Sequence, residues 1–416
     1  MTLAVPDEYL DSRTKGLWLP GSRVLTSDFV AARHEIFDGP FSLPLMLLKR
    51  DAVRHNVAAL AEFCTRHGLY FAPHGKTSMA PRLYELQLAA GAWGISLATA
   101  NQVLAARGFG VSRIVLANEL LDPPALRWVV AELDRDPSFE FCCYVDSLAG
   151  VEAARAALEA VPGRRDLTVL VELGYPGGRT GVRGVPELLE VAKAAHAVPR
   201  LSVAGVAGYE GGLSTVEDVT GYLGTLRESA EALVAAGSVR ASGPVLVSAG
   251  GSAYFDAVAD VLAGDWLPGR ELRVVLRSGA YITHDDGYYT TKSPLRRIGE
   301  ADLHTAIELW ARVNSVPEPG RAFATLGKRD TPFDEGPPMP RQVRHADGRT
   351  VPATDLRVTK LNDQHAYFDV PPGLDLAPGD LVSFGISHPC TAFDKWRVLP
   401  MVDDGYRVVD MVHTYF

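Results

Sequence analysis

The stretch Phe71-Ala72-Pro73-His74-Gly75-Lys76-Thr77-Ser78 sets an amine directly after an apolar run, where a barrel strand would end and present its side chains to a pocket. A lysine among small and hydroxyl residues suits Schiff-base chemistry with a bulky cofactor. Partial desolvation lets the amine lose its proton, and small neighbours give the cofactor room. Taken alone, Lys76 reads more readily as a solvated surface group, because most lysines are exposed. Repetition of the pattern decides the fold. After the run Leu69 to Lys76 come seven more strand candidates: Gly94 to Ala100, Arg113 to Glu119, Phe139 to Ser147, Leu167 to Gly174, Ser202 to Glu210, Val245 to Gly251 and Leu272 to Tyr281. Between them lie helical patterns, among them Ala125 to Arg135, Ser147 to Ala160, Pro186 to Ala197 and Val216 to Ala236, with apolar residues every three or four positions. Any three units would also fit a doubly wound open sheet. The full set of eight, spread over roughly 240 residues, indicates an α/β chain with a TIM-type (β/α)8 barrel.

Beyond about residue 290 the texture changes. Gly327 to Thr350 is rich in Pro, Gly and charge and reads as a long surface loop or hairpin connection. Leu356 to Leu361, His365 to Val370, Asp380 to Ile386 and Tyr406 to Val412 read as short strands separated by turn signals. The expected organisation is an N-terminal segment, 1–40, packed on a β domain; a barrel, 41–288; and a β-rich domain, 289–416.

At 416 residues the chain exceeds one ordinary core. Its 47% hydrophobic and 22% charged composition is that of a globular protein. A formal charge of −9 without a Lys/Arg block argues against nucleic acid and anionic membrane as partners and favours a small metabolite. No apolar run reaches the roughly 18 to 20 residues of a membrane span, and the N-terminus has no signal-peptide pattern. Cys64, Cys142, Cys143 and Cys390 are too irregularly spaced for a disulfide framework, so a reducing cytoplasm is the expected location. Cys142 and Cys143, adjacent on a strand, are expected to face opposite sides and to pack.

Barrel enzymes build their sites at the C-terminal ends of the strands, which makes those positions the candidate groups of a pocket. Glu172-Leu-Gly174 leads into a Gly-rich segment carrying Arg179-Thr180-Gly181, either a flexible loop with a solvated arginine or a contact for a cofactor oxygen. Tyr209 is the candidate to face a cofactor ring nitrogen, with Arg277 as competitor; otherwise it is a packed aromatic. Gly250-Gly251-Ser252, before a helical pattern, offers free backbone N–H groups for a phosphate. Far away, Ser387-His388-Pro389-Cys390 places an imidazole and a thiol close enough to share a metal of the zinc type. Two protein ligands suit an open catalytic site better than a closed structural one, and a lone His-Pro-Cys is more often packing. His284 and Asp285 read as turn residues or as groups near a subunit boundary.

Pro73-His-Gly-Lys76-Thr77, with Gln87 to Ala100 after it, resembles the cofactor-lysine region of the D-serine dehydratase and D-threonine aldolase family, which has the alanine racemase fold and uses pyridoxal 5'-phosphate (PLP). The chain departs from that family after the threonine, having Ser78-Met79 where His-Lys is common. The segment around Glu172 and Arg179-Thr180-Gly181 also resembles the family. His388 and Cys390 match the zinc pair of the D-serine dehydratases, whereas D-threonine aldolases typically carry Asp at the second position. His365, in Asn362-Asp-Gln-His365, resembles the family's Glu-His segment only in its histidine. The resemblance spans about residue 40 to the end. It implies a homodimeric PLP- and zinc-dependent lyase that deaminates a small D-β-hydroxy amino acid, D-serine first, to a 2-oxo acid and ammonia. It implies Lys76, Arg179, Tyr209, Gly250, Gly251 and Ser252 on PLP, and His388 and Cys390 on Zn2+. A retro-aldol lyase of the D-threonine aldolase kind and a non-catalytic PLP-binding protein are the alternatives; a racemase would have no use for the metal pair.

Overall fold

The computed structural model describes residues 3–300, 302–353 and 355–416, so Met1, Thr2, Ala301 and Thr354 lie outside it. All eight expected barrel strands form, as Tyr70–Phe71, Ile95–Leu97, Arg113–Glu119, Glu140–Val145, Leu167–Leu173, Leu201–Gly208, Val245–Ala249 and Leu272–Leu276. They pair in parallel, in sequence order, and the eighth pairs with the first. The ring closes between the first and second strands through a bridge from His74 to Ser96 and bonds from Trp93 N–H to Phe71 O (2.6 Å) and Ser96 N–H to Pro73 O (2.9 Å). Alternation along the strand Glu140–Val145 sends Cys142 into the barrel interior, with Tyr144, Leu170 and Leu246, and Cys143 outward toward the helices.

The helices start where their sequence tells them to. Thr99, Ser147 and Thr215 accept the N–H of Gln102, Gly150 and Asp218, which satisfies donors the helix cannot satisfy itself, and Pro opens Pro123–Arg135. All the expected strands but Arg113–Glu119 are shorter than read, the first and the eighth most of all in residues lost. Pro73 has no N–H for the ladder, so the first strand ends at Phe71 and Lys76 sits in a single 3-10 turn, Gly75–Thr77. The eighth ends at Leu276 and gives way to another such turn, Ala280–Ile282.

In the β-rich part, the twelve-residue strand Ile307–Glu318 is the hub. It pairs antiparallel with Leu381–Gly385, with Arg321–Ala324 and with Leu45–Lys49. That last partner corrects the expected start of the barrel at 41: Leu45–Lys49 is a strand of the β sheet, pairing also with Val398–Val402, and the barrel's first helix begins at Arg50. The segment 327–350, read as a long surface loop or hairpin connection, contains the strand Met339–Arg344, which forms an antiparallel hairpin with Thr350–Pro352. The alternation there is blurred because Met339 to Gln342 are all half-buried. Near the N-terminus, Lys15 pairs with Asp330 at 2.8 Å and Thr26 with His413 at 2.9 Å, tying this segment to the β sheet. No helix among the described residues is long and apolar enough to cross a membrane.

Candidate active site

The lysine turn is wedged into place. Tyr84 OH donates to Gly75 O at 2.9 Å, and a Cβ on Gly75 would lie 2.7 Å from the Tyr84 ring, so only glycine fits. Burial lowers the Lys76 pKa; Cys390 pulls it up, and the charges of Arg179 and Arg277 push it down again. These three side chains therefore share the amine's surroundings. His74 is half-buried and held well below its usual pKa by desolvation and then by Lys76, Arg277 and Arg179; its Nδ1 is closed to solvent and has no partner among the described residues.

Arg179 does not sit on a floppy loop. Arg183 donates to the carbonyls of Gly178, Arg179, Thr180 and Gly181, and Gly181 N–H reaches Asp146 at 3.1 Å. The Arg179 guanidinium lies 4.2 Å from the centre of the Tyr209 ring, a cation–π contact. Arg277 is buried and clamped, donating to Ser248 Oγ at 2.6 Å and to Gly208 O at 2.8 Å.

The glycine pair departs from expectation. The N–H groups of Gly250 and Gly251 are not free for a phosphate; they donate to the carboxylate of Glu210 at 3.0 and 2.7 Å, and Glu210 is fully buried. Ser252 faces elsewhere, with Ser278 Oγ at 2.9 Å and Ala280 N–H at 3.2 Å. Next to that pair, a Cβ on Gly279 would meet the His74 carbonyl at 2.6 Å, so the eighth strand's exit presses directly on the lysine turn.

The His-Pro-Cys segment, 313 residues from the lysine turn, comes to the same mouth: Thr77 Oγ1 and Cys390 Sγ are 3.7 Å apart. His388 Nδ1 lies 2.7 Å from Asp334 Oδ2, and Thr391 Oγ1 donates to the other oxygen of the same carboxylate at 2.9 Å. Burial lowers the His388 pKa, but hydrogen bonding and charge from Cys390 and then Asp334 outweigh it and hold the imidazole at about 9. The ring therefore stands between carboxylate and thiol. The rings of Tyr288 and Tyr289 approach His388 to 5.8 and 5.9 Å.

Several of these groups are not legible in the sequence. Glu210 stands inside the expected strand end and gives no signal beyond its charge. Asp334 lies in what reads as a surface loop or hairpin connection, and Tyr288 and Tyr289 open a short helix, Tyr288–Lys292, that carries no motif. Asp285, raised to about 7 by burial although backbone N–H bonds lower it, accepts from Gly287 and Tyr289 N–H at 2.9 Å and is a turn residue. His284 is buried, and burial lowers its pKa to about 4. His365 is exposed in the connection before the strand Ala366–Asp369. Glu119, Asp146 and Glu172, at the ends of three neighbouring strands, bring oxygens within 4.8 Å of one another.

The residues fit both groups the sequence implied. For PLP there is a partly desolvated lysine, an imidazole nitrogen without partner among the described residues, two guanidinium groups, and the hydroxyls of Ser252 and Ser278 2.9 Å apart. For a metal, the imidazole's Nδ1 is engaged by Asp334, the kind of carboxylate partner that orients a metal-bound histidine, and Cys390 is near enough to raise the ring's pKa.

Comparison with known proteins finds relatives that share this fold. Residues 306–402 match the putative serine dehydratase domain family. The chain is 26% identical over 369 residues to a D-threonine aldolase from an Arthrobacter species, covering 87% of this chain and 89% of that one. It is 26% identical over 175 residues to a 3-hydroxy-D-aspartate aldolase of Paracoccus denitrificans, covering 42% and 44%. Among solved structures, the D-threonine aldolase from Filomicrobium marinum superimposes with a TM-score of 0.75 at 20% identity, over 90% of this chain and 95% of that one. The D-threo-3-hydroxyaspartate dehydratase from Delftia sp. HT23 does so with 0.69 at 22%, over 90% and 97%. A cysteine-to-alanine variant of D-threo-3-hydroxyaspartate dehydratase has been solved in a metal-free form. The alanine racemase from Bacillus anthracis shares the fold with a TM-score of 0.60.

Proposed function

We propose that this chain, which belongs with the D-serine dehydratase and D-threonine aldolase-like proteins of alanine racemase fold, is a PLP- and zinc-dependent lyase that converts a small D-β-hydroxy amino acid, D-serine first, into a 2-oxo acid and ammonia. The observation that carries the reading is the meeting of the Lys76 turn and the His388–Cys390 turn, with Thr77 and Cys390 3.7 Å apart. A Schiff-base lysine and a soft-ligand metal pair at one barrel mouth suit a reaction that breaks both a Cα–H and a Cβ–O bond.

Bound through Lys76, PLP supplies an electron-withdrawing ring that acidifies the substrate's Cα–H bond. Lys76, the residue that would hold the cofactor, would also take that proton, and its lowered pKa makes it a better-populated free base at neutral pH. Arg179 is assigned to the ring's phenolic oxygen. Ser252 is assigned to the phosphate together with Ser278, replacing the amides of Gly250 and Gly251 that Glu210 occupies. Either Tyr209 or Arg277 faces the ring nitrogen. Neither offers a negative charge to hold a proton there, so prompt elimination is favoured over a long-lived carbanion.

His388 and Cys390 are assigned to zinc, which supplies a Lewis acid for the departing β-hydroxyl. Asp334 keeps the imidazole turned toward that metal. Cys390 is also what favours dehydration over the retro-aldol reading. The resembled aldolases carry Asp there, and a dehydratase relative with a cysteine replaced by alanine is known in a metal-free form. A cytoplasmic homodimer is the assembly that goes with this reading, and sedimentation tests it.

The deciding assay supplies D-serine, D-threonine, D-3-hydroxyaspartate and their L-forms to the PLP- and zinc-loaded protein and identifies the products. Ammonia with a 2-oxo acid from a D-form is expected. Glycine with an aldehyde would make it an aldolase, and no turnover despite a bound-PLP band would make it a carrier.

A further inference from the structure

At the mouth of the barrel opposite Lys76, the strand starts surround a cavity of about 440 Å³ whose walls include Trp93, Arg113, Cys142, Arg165, Arg240 and Arg273. Four guanidinium groups face it, against the carboxylates of Glu140 and Asp166. Their commitments differ. Arg113 is paired with Glu140 and lies 4.8 Å from the Trp93 ring centre. Arg273 is paired with Glu271 at 2.7 Å. Arg165 spends one nitrogen on the carbonyls of Leu133, Asp136, Pro137 and Phe139, around the end of the helix Pro123–Arg135.

Arg240 is different. It donates to Pro244 O at 2.9 Å, has no ion-pair partner among the described residues, and its Nε is buried without an acceptor. Burial pushes its pKa down; Cys142 raises it, and the charges of Arg273 and Arg270 lower it further. The Nε is closed to the opening, so the terminal nitrogens of this cation, of which only one is engaged by Pro244 O, are what a ligand would meet. A guanidinium presents a planar fork that fits carboxylate or phosphate oxygens two at a time.

We infer that this opening binds a small polyanion, a compact molecule carrying two or more carboxylate or phosphate oxygens, with Arg240 as its anchor and Arg113 and Arg273 on the walls. The cavity's size is within the range of small-ligand sites. Its floor, Cys142 and Leu246, belongs to the packed barrel interior that also contains Tyr144, whose ring lies 5.8 Å from Arg277. A ligand here is thus separated from the substrate by a filled core and does not compete with it.

Calorimetric titration of the PLP-loaded protein with pyrophosphate, and separately with malonate, tests the site. One saturable site per chain is expected for at least one probe, and the tighter probe distinguishes phosphate from carboxylate chemistry. Arg240→Gln should weaken it by about tenfold or more, as loss of a charge-assisted fork does. Ser242→Asp, an exposed rim position, should do the same by putting a carboxylate in the anion's way, and it carries the test if Arg240→Gln fails to fold. Lys76→Ala should bind unchanged. No saturable binding of either probe, or wild-type binding by the folded variants, overturns the inference.

Discussion

The Asp334 carboxylate sits 2.7 Å from Nδ1 of His388, 54 residues along the chain, and holds Thr391 with its other oxygen. With Nδ1–H donated to Asp334, Nε2 is the nitrogen left to bind a metal once it gives up its own proton, and the ring cannot rotate without losing its bond. Asp334→Asn should therefore leave the fold and PLP binding intact while weakening zinc roughly 10- to 100-fold, the usual consequence of losing such a partner. Competition with a chromogenic chelator measures it. Equal zinc affinity in the variant would remove Asp334 from the site.

Lys76→Ala should abolish the visible band of lysine-bound PLP, the borohydride-stable adduct and activity, with the melting temperature nearly unchanged. The residue is half-buried in a short turn at the barrel mouth and is not part of the apolar core. An adduct surviving reduction in that variant would move the linkage to another lysine.

The Gly279 contact makes a sharper structural prediction. A methyl group there meets the His74 carbonyl at 2.6 Å and the His74 Cβ at 2.8 Å, and backbone cannot step aside as a flexible side chain can. Gly279→Ala should cost about 1–3 kcal/mol in denaturant unfolding. It should also shift the lysine turn enough to weaken PLP binding. Wild-type stability would mean the two exits are looser than described.

Legibility in the sequence followed periodicity and covalent neighbourhood. All eight barrel strands could be read because apolar runs recur at the spacing of βα units, whereas Leu45–Lys49 looked like part of the barrel. Its partner, Ile307–Glu318, lies in the other half of the chain, and nothing local says which sheet a buried strand joins. At the site, Lys76, His388 and Cys390 stood out by residue type and resemblance. Glu210 did not: a single glutamate after a strand reads as solvated, and only folding shows it filling the amides of Gly250 and Gly251. Asp334 was hidden in the same way by a Pro- and Gly-rich stretch whose strand pairing is irregular.

The carboxylate cluster supplies a pH signature. Burial first, then hydrogen bonding and charge from Glu172, raise the Glu119 pKa from the usual 4.5 to about 8. Between those values the folded chain holds a proton the unfolded chain has released, so stability falls as pH rises through the window. Glu119→Gln cannot ionise. Its melting temperature should match wild type near pH 5, exceed it increasingly toward pH 8, and gain nothing more above that. A constant difference across the range would show that Glu119 titrates normally.

The most direct test of the central claim compares two leaving groups with and without metal. The PLP-loaded protein is stripped with a chelator and given D-serine or β-chloro-D-alanine, whose chloride needs no Lewis acid to depart. The expected result is that stripping ends ammonia release from D-serine, leaves the bound-PLP band and exchange of the Cα hydrogen in deuterated water, and spares much of the 2-oxo acid formation from the chloro substrate. Zinc restores the first reaction. Undiminished D-serine turnover in protein shown to be metal-free, or loss of PLP together with the metal, would contradict the assignment of His388 and Cys390 to the departing hydroxyl.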